Sequence, residues 1–250
     1  MGNKRETLVR KIFSCIDNTT LSGTDNEHSI NELCRRSMAL GDEEARVAAV
    51  CVYPRFVEVA RRMLQGSGIR VASVAGGFPH GQLPIHLKVA EVQYAVDQGA
   101  DEVDVVISRG LLLEGSADAV RSEVRALKDA CGGRILKVIL ETGELPSPTL
   151  VRQASELAIE GGADFIKTST GKSATGATLE AAEAMLQAVA DHRRATGRTV
   201  GFKAAGGIRQ PDEALAYARL AVRLMGDAYL HPSTFRIGAS SLTESLAQRL

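Results

Sequence analysis

Residues 164–204 read DFIKTSTGKSATGATLEAAEAMLQAVADHRRATGRTVGFKA. A short run, DFIKTS at 164–169, leads into a glycine-bearing polar loop. From Leu179 to Arg194 apolar residues then recur three and four apart, and a second short run, TVGFKA, follows at 199–204. Spacing of three and four gathers apolar side chains on one helical face. The flanking runs show little alternation, as strands do when both faces are buried. The segment is therefore strand, helix, strand, and strands joined through a helix pair in parallel by a right-handed crossover.

The same unit recurs in both directions. KIFSCID at 11–17, RVAAVCV at 46–52, IRVASVA at 69–75, EVDVVI at 102–107, RILKVIL at 134–140 and TFRIGA at 234–239 bring the predicted strands to eight, and Leu87 to Gln98 repeats the helical spacing. Eight β-then-α units in 250 residues predict a single (β/α)8 TIM barrel. No Pro/Ser-rich linker or long charge run divides the chain, so one domain over 1–250 is expected. An open doubly wound sheet is the alternative. It would carry a glycine-rich fingerprint after its first strand, where CIDNTT stands, and the G-x-G of Gly66 and Gly68 precedes a strand and lacks a third glycine. In a barrel, catalytic groups lie at the carboxyl ends of the strands.

Thirty basic and thirty acidic residues give a formal net charge of zero, which offers no electrostatic footprint for nucleic acid or an anionic membrane. A small-molecule partner is expected. No stretch approaches the roughly 18 apolar residues of a membrane span. The start, MGNKRETLVR, lacks a signal peptide's apolar core, and Glu6 stands where myristoylation at Gly2 would need Ser or Thr. A cytoplasmic protein is expected. Cys15, Cys34, Cys51 and Cys131 show neither CxxC pairing nor a histidine at finger spacing, so they read as reduced, buried thiols. His28, His80, His86, His192 and His231 form no metal-like grouping, and no catalytic metal is expected.

Lysine usage is more informative. The chain has 22 Arg and eight Lys, yet Lys137, Lys167 and Lys203 each fall inside a predicted strand, in ILKVI, FIKTS and GFKAA, and Lys172 just after one. A buried amine loses hydration and its pKa falls, so a neutral nucleophile forms near pH 7; neighbouring ammonium groups add to the effect. Arginine stays charged and cannot serve this way. Asp104, flanked by valines in EVDVV, is a carboxylate whose burial requires a partner. The strand lysines are the obvious partners, with acid–base work and a structural ion pair both open. Asp17, ending the first run in CIDNTTL, fits an active-site carboxylate or a cap.

Glycine clusters gather late in the chain: TSTGKSATGAT after strand six, AAGGIR after strand seven and GASS after strand eight. Glycines let backbone N–H groups approach an anion, helix N-termini favour it, and barrels hold phosphate after strands seven and eight. With Lys172 and Arg209 nearby, these loops predict a phosphate cradle.

IDNTTL, VCVYPRF, GFPHG, GADEVDVVI, LKVILETGEL, GADFIKTSTGK, VGFKAAGGIR and FRIGASSL, in this order from about Asp17 to Leu242, closely resemble the 2-deoxyribose-5-phosphate aldolase family of class I aldolases. FIKTSTGK followed by GFK-x-AGG is the specific pair. The resemblance implies reversible cleavage of 2-deoxy-D-ribose 5-phosphate to D-glyceraldehyde 3-phosphate and acetaldehyde, in deoxyribonucleotide and deoxynucleoside catabolism. It implies a covalent Schiff base on lysine and no metal or organic cofactor. Lys167 would be the Schiff-base lysine, Lys203 the amine that lowers its pKa, and Asp104 a proton-relay carboxylate. Thr170, Gly171, Lys172, Gly206, Gly207, Arg209, Gly238, Ser240 and Ser241 would contact substrate hydroxyls and phosphate. Asp17 and Cys51 would lie close to the site, and Lys137 near the amines. Partners would be phosphosugar and aldehyde, with assembly as a homodimer or another homo-oligomer.

The chain departs from the family at Ala204, where GFKPAGG is common, at VAGG before FPHG, and at SRG, 108–110, after strand four. It stops at Leu250 without the tyrosine-bearing tail of some members, so that aid to proton transfer is expected to be absent. Two other readings stay open: a transaldolase-type Schiff-base barrel taking a ketone donor, and a non-catalytic phosphosugar-binding protein. The joint presence of Lys167, Lys203 and Asp104 argues against the second.

Overall fold

The computed structural model describes residues 2–42 and 45–250. Eight parallel strands close into a barrel in chain order: β1 (Ile16–Thr19), β2 (Ala49–Val52), β3 (Arg70–Ala75), β4 (Glu102–Val106), β5 (Ile135–Ile139), β6 (Phe165–Lys167), β7 (Gly201–Ala205) and β8 (Phe235–Ala239). The barrel closes where β8 pairs with β1, with Asp17 opposite Gly238. Helices α1 (Gly2–Phe13), α2 (Glu27–Ala39), α3 (Val57–Met63), α4 (Ile85–Asp97), α5 (Arg109–Leu113), α6 (Ala117–Ala130), α7 (Pro148–Glu160), α8 (Leu179–Thr196), α9 (Pro211–Met225) and α10 (Leu242–Ala247) accompany them. The predicted barrel is observed, and none of these helices is long and apolar enough to cross a membrane.

The first strand is displaced from its predicted place. Residues 11–13 of KIFSCID end α1, and β1 begins only at Ile16. Val9, Ile12 and Phe13 fall three and one apart, which places them on one helical face, and all three are buried. Their β-forming side chains thus serve a helix that packs on α9 and α10. This helix precedes the eight repeating units. RVAAVCV and DFIKTS are likewise shorter as strands than as apolar runs, at four and three residues. The four cysteines are free and buried, as expected.

Alternate strand residues divide between two environments. Val103, Val105, Leu136, Val138, Ile166, Phe202 and Ile237 join the apolar layer between barrel and helices. The opposite face fills the barrel, and it is divided in two. On β2 and β3, Ala49, Cys51, Ala72 and Val74 form a small apolar cluster with Leu21. From β4 round to β1 the buried side chains include Glu102, Asp104, Lys137, Lys167, Lys203, Arg236 and Asp17.

Glycine makes room for this filling at Gly201. A Cβ there would lie 2.6 Å from Phe165 Cζ and closer still to Cε1 and Cδ1, so the Phe165 ring occupies the space a side chain would need. The Arg236 guanidinium in turn lies 5.7 Å from the centre of that ring. Gly201→Ala is expected to destabilise the protein by about 1–3 kcal/mol, the range for forcing a methyl into a packed core, as read by urea unfolding.

Candidate active site

Parallel register places the charged side chains side by side. Asp104 stands opposite Lys137 between β4 and β5, Lys167 opposite Lys203 between β6 and β7, and Lys203 opposite Arg236 between β7 and β8. Asp104 is the hub. Its Oδ1 accepts from Lys137 Nζ at 2.9 Å, and its Oδ2 from Lys167 Nζ at 2.7 Å and Lys203 Nζ at 2.8 Å. Lys203 also donates to Asp17 Oδ2. Lys137 has Glu102 Oε2 at 2.5 Å and Asp17 Oδ2 at 3.4 Å. Lys167 is 3% exposed and the other members are wholly buried.

Within this cluster four cations, Lys137, Lys167, Lys203 and Arg236, meet three carboxylates, Asp17, Glu102 and Asp104. Low-dielectric surroundings penalise an uncompensated charge, and the lysines divide accordingly. Burial draws the Lys167 amine below its ordinary value; its one carboxylate, Asp104, opposes this and the Lys203 ammonium reinforces it. Burial acts on Lys137 and Lys203 too, but Asp104 and Asp17, with Glu102 for Lys137, outweigh it and hold both amines above the usual range. Burial would raise the Asp104 carboxyl, yet Lys137, Lys167 and Lys203 together hold it well below the carboxylate range.

Above the cluster a cleft of about 410 Å³ opens at the carboxyl ends of the strands, with Lys167 in its wall. Thr170, Gly171, Lys172, Gly206, Gly207, Arg209, Gly238 and Ser240 also line it, as do Thr19, Thr20, Leu21 and Ser22 of the β1–α2 loop. The loops after β6 and β7 meet backbone to backbone. A Cβ on Gly206 would lie 3.1 Å from Gly176 Cα, and Ala177 N donates to Gly206 O at 3.0 Å. Lys172 Nζ reaches Leu21 O at 2.5 Å. Gly238 also makes room for Lys203. A Cβ at Gly238 would lie 3.1 Å from Lys203 Cε, so the glycine keeps the amine's path clear.

Some expected site residues do not line the cleft itself. Asp17, Asp104, Lys137 and Lys203 sit beneath the cleft, without lining it. Cys51 lies in the apolar half of the interior, where burial pushes its thiol up to about 11. Ser241 lines a neighbouring cavity between α2 and α10. Helix α10 spans only six residues, so its N-terminus adds little dipole to the glycine loops.

Sequence reasoning misses Glu102, Arg236 and Glu141. Glu102 lies two residues before Asp104, on the same strand face, and that spacing is the available signal. Arg236 shares the strand context of the lysines but reads as a routine cation in an arginine-rich chain. Glu141, buried with φ 53°, accepts from the Thr170 hydroxyl and from Thr170 N and Ser173 Oγ at 3.3 and 3.0 Å, anchoring the loop that bears Lys172. A further wholly buried lysine, Lys88 on α4, pairs with Glu123 at 2.5 Å and Ser108 at 2.8 Å outside the cluster.

The model of the DeoC/LacD family of aldolases matches residues 12–245. The chain belongs to this family. Proteins that resemble it include two named "putative deoxyribose-phosphate aldolase". One, from Caenorhabditis elegans, is 44% identical over all of this chain and 83% of its own length. The other, from Toxoplasma gondii, is a solved structure with TM-score 0.87 and 25% identity, covering 100% of this chain and 95% of that one. The tetrameric deoxyribose phosphate aldolase from Aeropyrum pernix matches with TM-score 0.77 and 27% identity over 99% and 94% of the two chains. This aldolase thus stands in the deoxyribose-phosphate aldolase family that its motifs suggested. Breaking its buried cluster is expected to cost far more than breaking a surface pair. Lys137→Met should destabilise it by about 3–5 kcal/mol, and Arg223→Met, at the exposed Arg223–Glu183 pair, by under about 1 kcal/mol, both measured by chemical denaturation.

Proposed function

We propose that this aldolase is a class I enzyme that reversibly cleaves 2-deoxy-D-ribose 5-phosphate to D-glyceraldehyde 3-phosphate and acetaldehyde, in the cytoplasm and in deoxyribonucleotide and deoxynucleoside catabolism. The observation that carries the reading is Lys167: the least compensated amine of the cluster, in the wall of the cleft. In the cleavage direction its neutral amine adds to the open-chain aldehyde carbon C1, and the carbinolamine hydroxyl takes up a proton and leaves as water, forming an iminium. The positive nitrogen is the electron sink. A relay through Asp104, Lys203 and water takes the proton from the C3 hydroxyl. The C2–C3 bond breaks, its electron pair enters the iminium to form an enamine, and C3 departs as the new aldehyde. Protonation at C2 and hydrolysis return acetaldehyde and free Lys167. The covalent amine supplies the sink, so this route requires no metal or organic cofactor.

The same reading assigns the substrate phosphate to the far end of the cleft, among Gly171, Lys172, Gly206, Gly207, Arg209, Gly238 and Ser240. Backbone N–H groups there can approach closely because Gly171, Gly206 and Gly207 have positive φ and no Cβ. Assembly into a homo-oligomer is part of the proposal, supported by the tetrameric Aeropyrum pernix relative.

Incubation with acetaldehyde and borohydride, followed by peptide mass spectrometry, tests the covalent step. A reduced two-carbon adduct on Lys167 is expected, and an adduct on Lys137 or Lys203 with Lys167 unmodified would reject the assignment. A ketone-donor aldolase or a non-catalytic binder would yield no such adduct.

Steady-state kinetics test the phosphate cradle. Ser240→Asp places a fixed anion against the incoming one, and the apparent KM for the phosphorylated substrate should rise by roughly tenfold, equivalent to about 1.4 kcal/mol. Activity on unphosphorylated deoxyribose should change much less, and equal losses for both would place the phosphate elsewhere.

A further inference from the structure

Among the described residues Arg236 heads the largest fully buried side chains, yet it does not line the cleft. Its Nη1 donates to Asp17 Oδ1 at 2.5 Å and to Glu102 Oε2 at 3.1 Å, its Nη2 to Glu102 Oε1 at 2.6 Å, and its Nε to Pro232 O at 2.5 Å. Arg70 approaches the same Glu102 from the exposed end of β3 at 3.0 Å. A guanidinium keeps its proton at any working pH, while a buried lysine gives it up readily. Of the four cations in the cluster one is therefore permanent, and any shortage of counter-charge falls on the lysines. Asp17 divides its oxygens between Arg236 and the two amines of Lys203 and Lys137, and Glu102 divides its own between Arg236 and Lys137. Asp104 is left to serve three amines, and Lys167 has no other carboxylate.

We infer that Arg236 is a positioning residue for the reaction: a permanent cation below the amines that engages Asp17 and Glu102, so that the lysines share too little carboxylate and Lys167 is the one left as a free amine. The inference rests on the reading of Lys167 as the imine-forming residue. Facing Lys167 are Asp104 on β4, Lys203 on β7 and Cys51 on β2. Behind them stand Lys137 on β5, Asp17 on β1, Glu102 on β4 and Arg236 on β8, while β3 contributes Ala72 and Val74 to this interior.

The test is the pH dependence of borohydride-trapped acetaldehyde adduct formation on Lys167 in the full chain. Removing a cation favours the protonated amine, so Arg236→Met should move the midpoint up by about one pH unit, the low end of what one neighbouring charge does. Removing an anion has the opposite sign, and Glu102→Gln should move the midpoint down. The double variant again has one cation in surplus, and its midpoint should return toward that of the unaltered protein, a rescue that lost packing would not give. If Arg236→Met does not fold, Glu102→Gln and the double variant carry the test. A midpoint that stays put in either folded single variant, or that moves up in Glu102→Gln, overturns the inference. Unmoved midpoints with the adduct still on Lys167 leave the imine reading standing, whereas no Lys167 adduct in the unaltered protein removes both.

Discussion

One carboxylate, Asp104, accepts hydrogen bonds from three lysine amines in the buried interior of the barrel, and the arrangement of the site follows from that shared pair of oxygens. Each ammonium would need its own counter-charge to be held comfortably in such surroundings. Lys137 and Lys203 find theirs in Glu102 and Asp17, and Lys167 does not. The shared bonds link β1, β4, β5, β6, β7 and β8 to one another, and the imbalance leaves one amine poorly compensated where the cleft begins.

The fold's contribution is depth. Glu102 opens β4 and Arg236 is the second residue of β8, whereas Lys167 is the last residue of β6. Because parallel strands run in one direction, position along a strand becomes height in the barrel. Permanent charge therefore lies low, the shared carboxylate lies in the middle, and the nucleophilic candidate lies at the top beside the glycine loops. Gly201 and Gly238 keep the layers apart by yielding space to the Phe165 ring and to the Lys203 chain. The apolar half, around Cys51 and Val74, carries none of this charge.

The lysines are legible from sequence because they are rare here and stand in apolar runs where arginine would otherwise be expected. The same contrast conceals Arg236. An arginine in FRIGA looks ordinary until closure of the barrel sets β8 against β1 and its guanidinium against Asp17 and Glu102, residues 219 and 134 positions away. Glu141 is hidden for a similar reason: its partners Thr170 and Ser173 lie on the next βα loop. The first strand is misplaced by its apolar run because periodicity over a few residues cannot separate the apolar face of a helix end from a strand; Ile12 and Phe13 belong to α1.

Sequence by itself determined the eightfold β-then-α order, the parallel barrel, the strand positions of Lys137, Lys167, Lys203 and Asp104, and the glycine loops near Lys172 and Arg209. These are properties of local spacing and of residue type, and they survive without knowledge of what packs against what. Only the tertiary structure decided which of the three lysines lacks a counter-charge, that Asp17 and Lys137 belong to the floor below the cleft, that Ser241 faces a different cavity, and that Arg236 and Glu102 take part at all. Charge balance in a buried cluster is a sum over strands that meet only when the sheet closes, and no stretch of chain contains that sum.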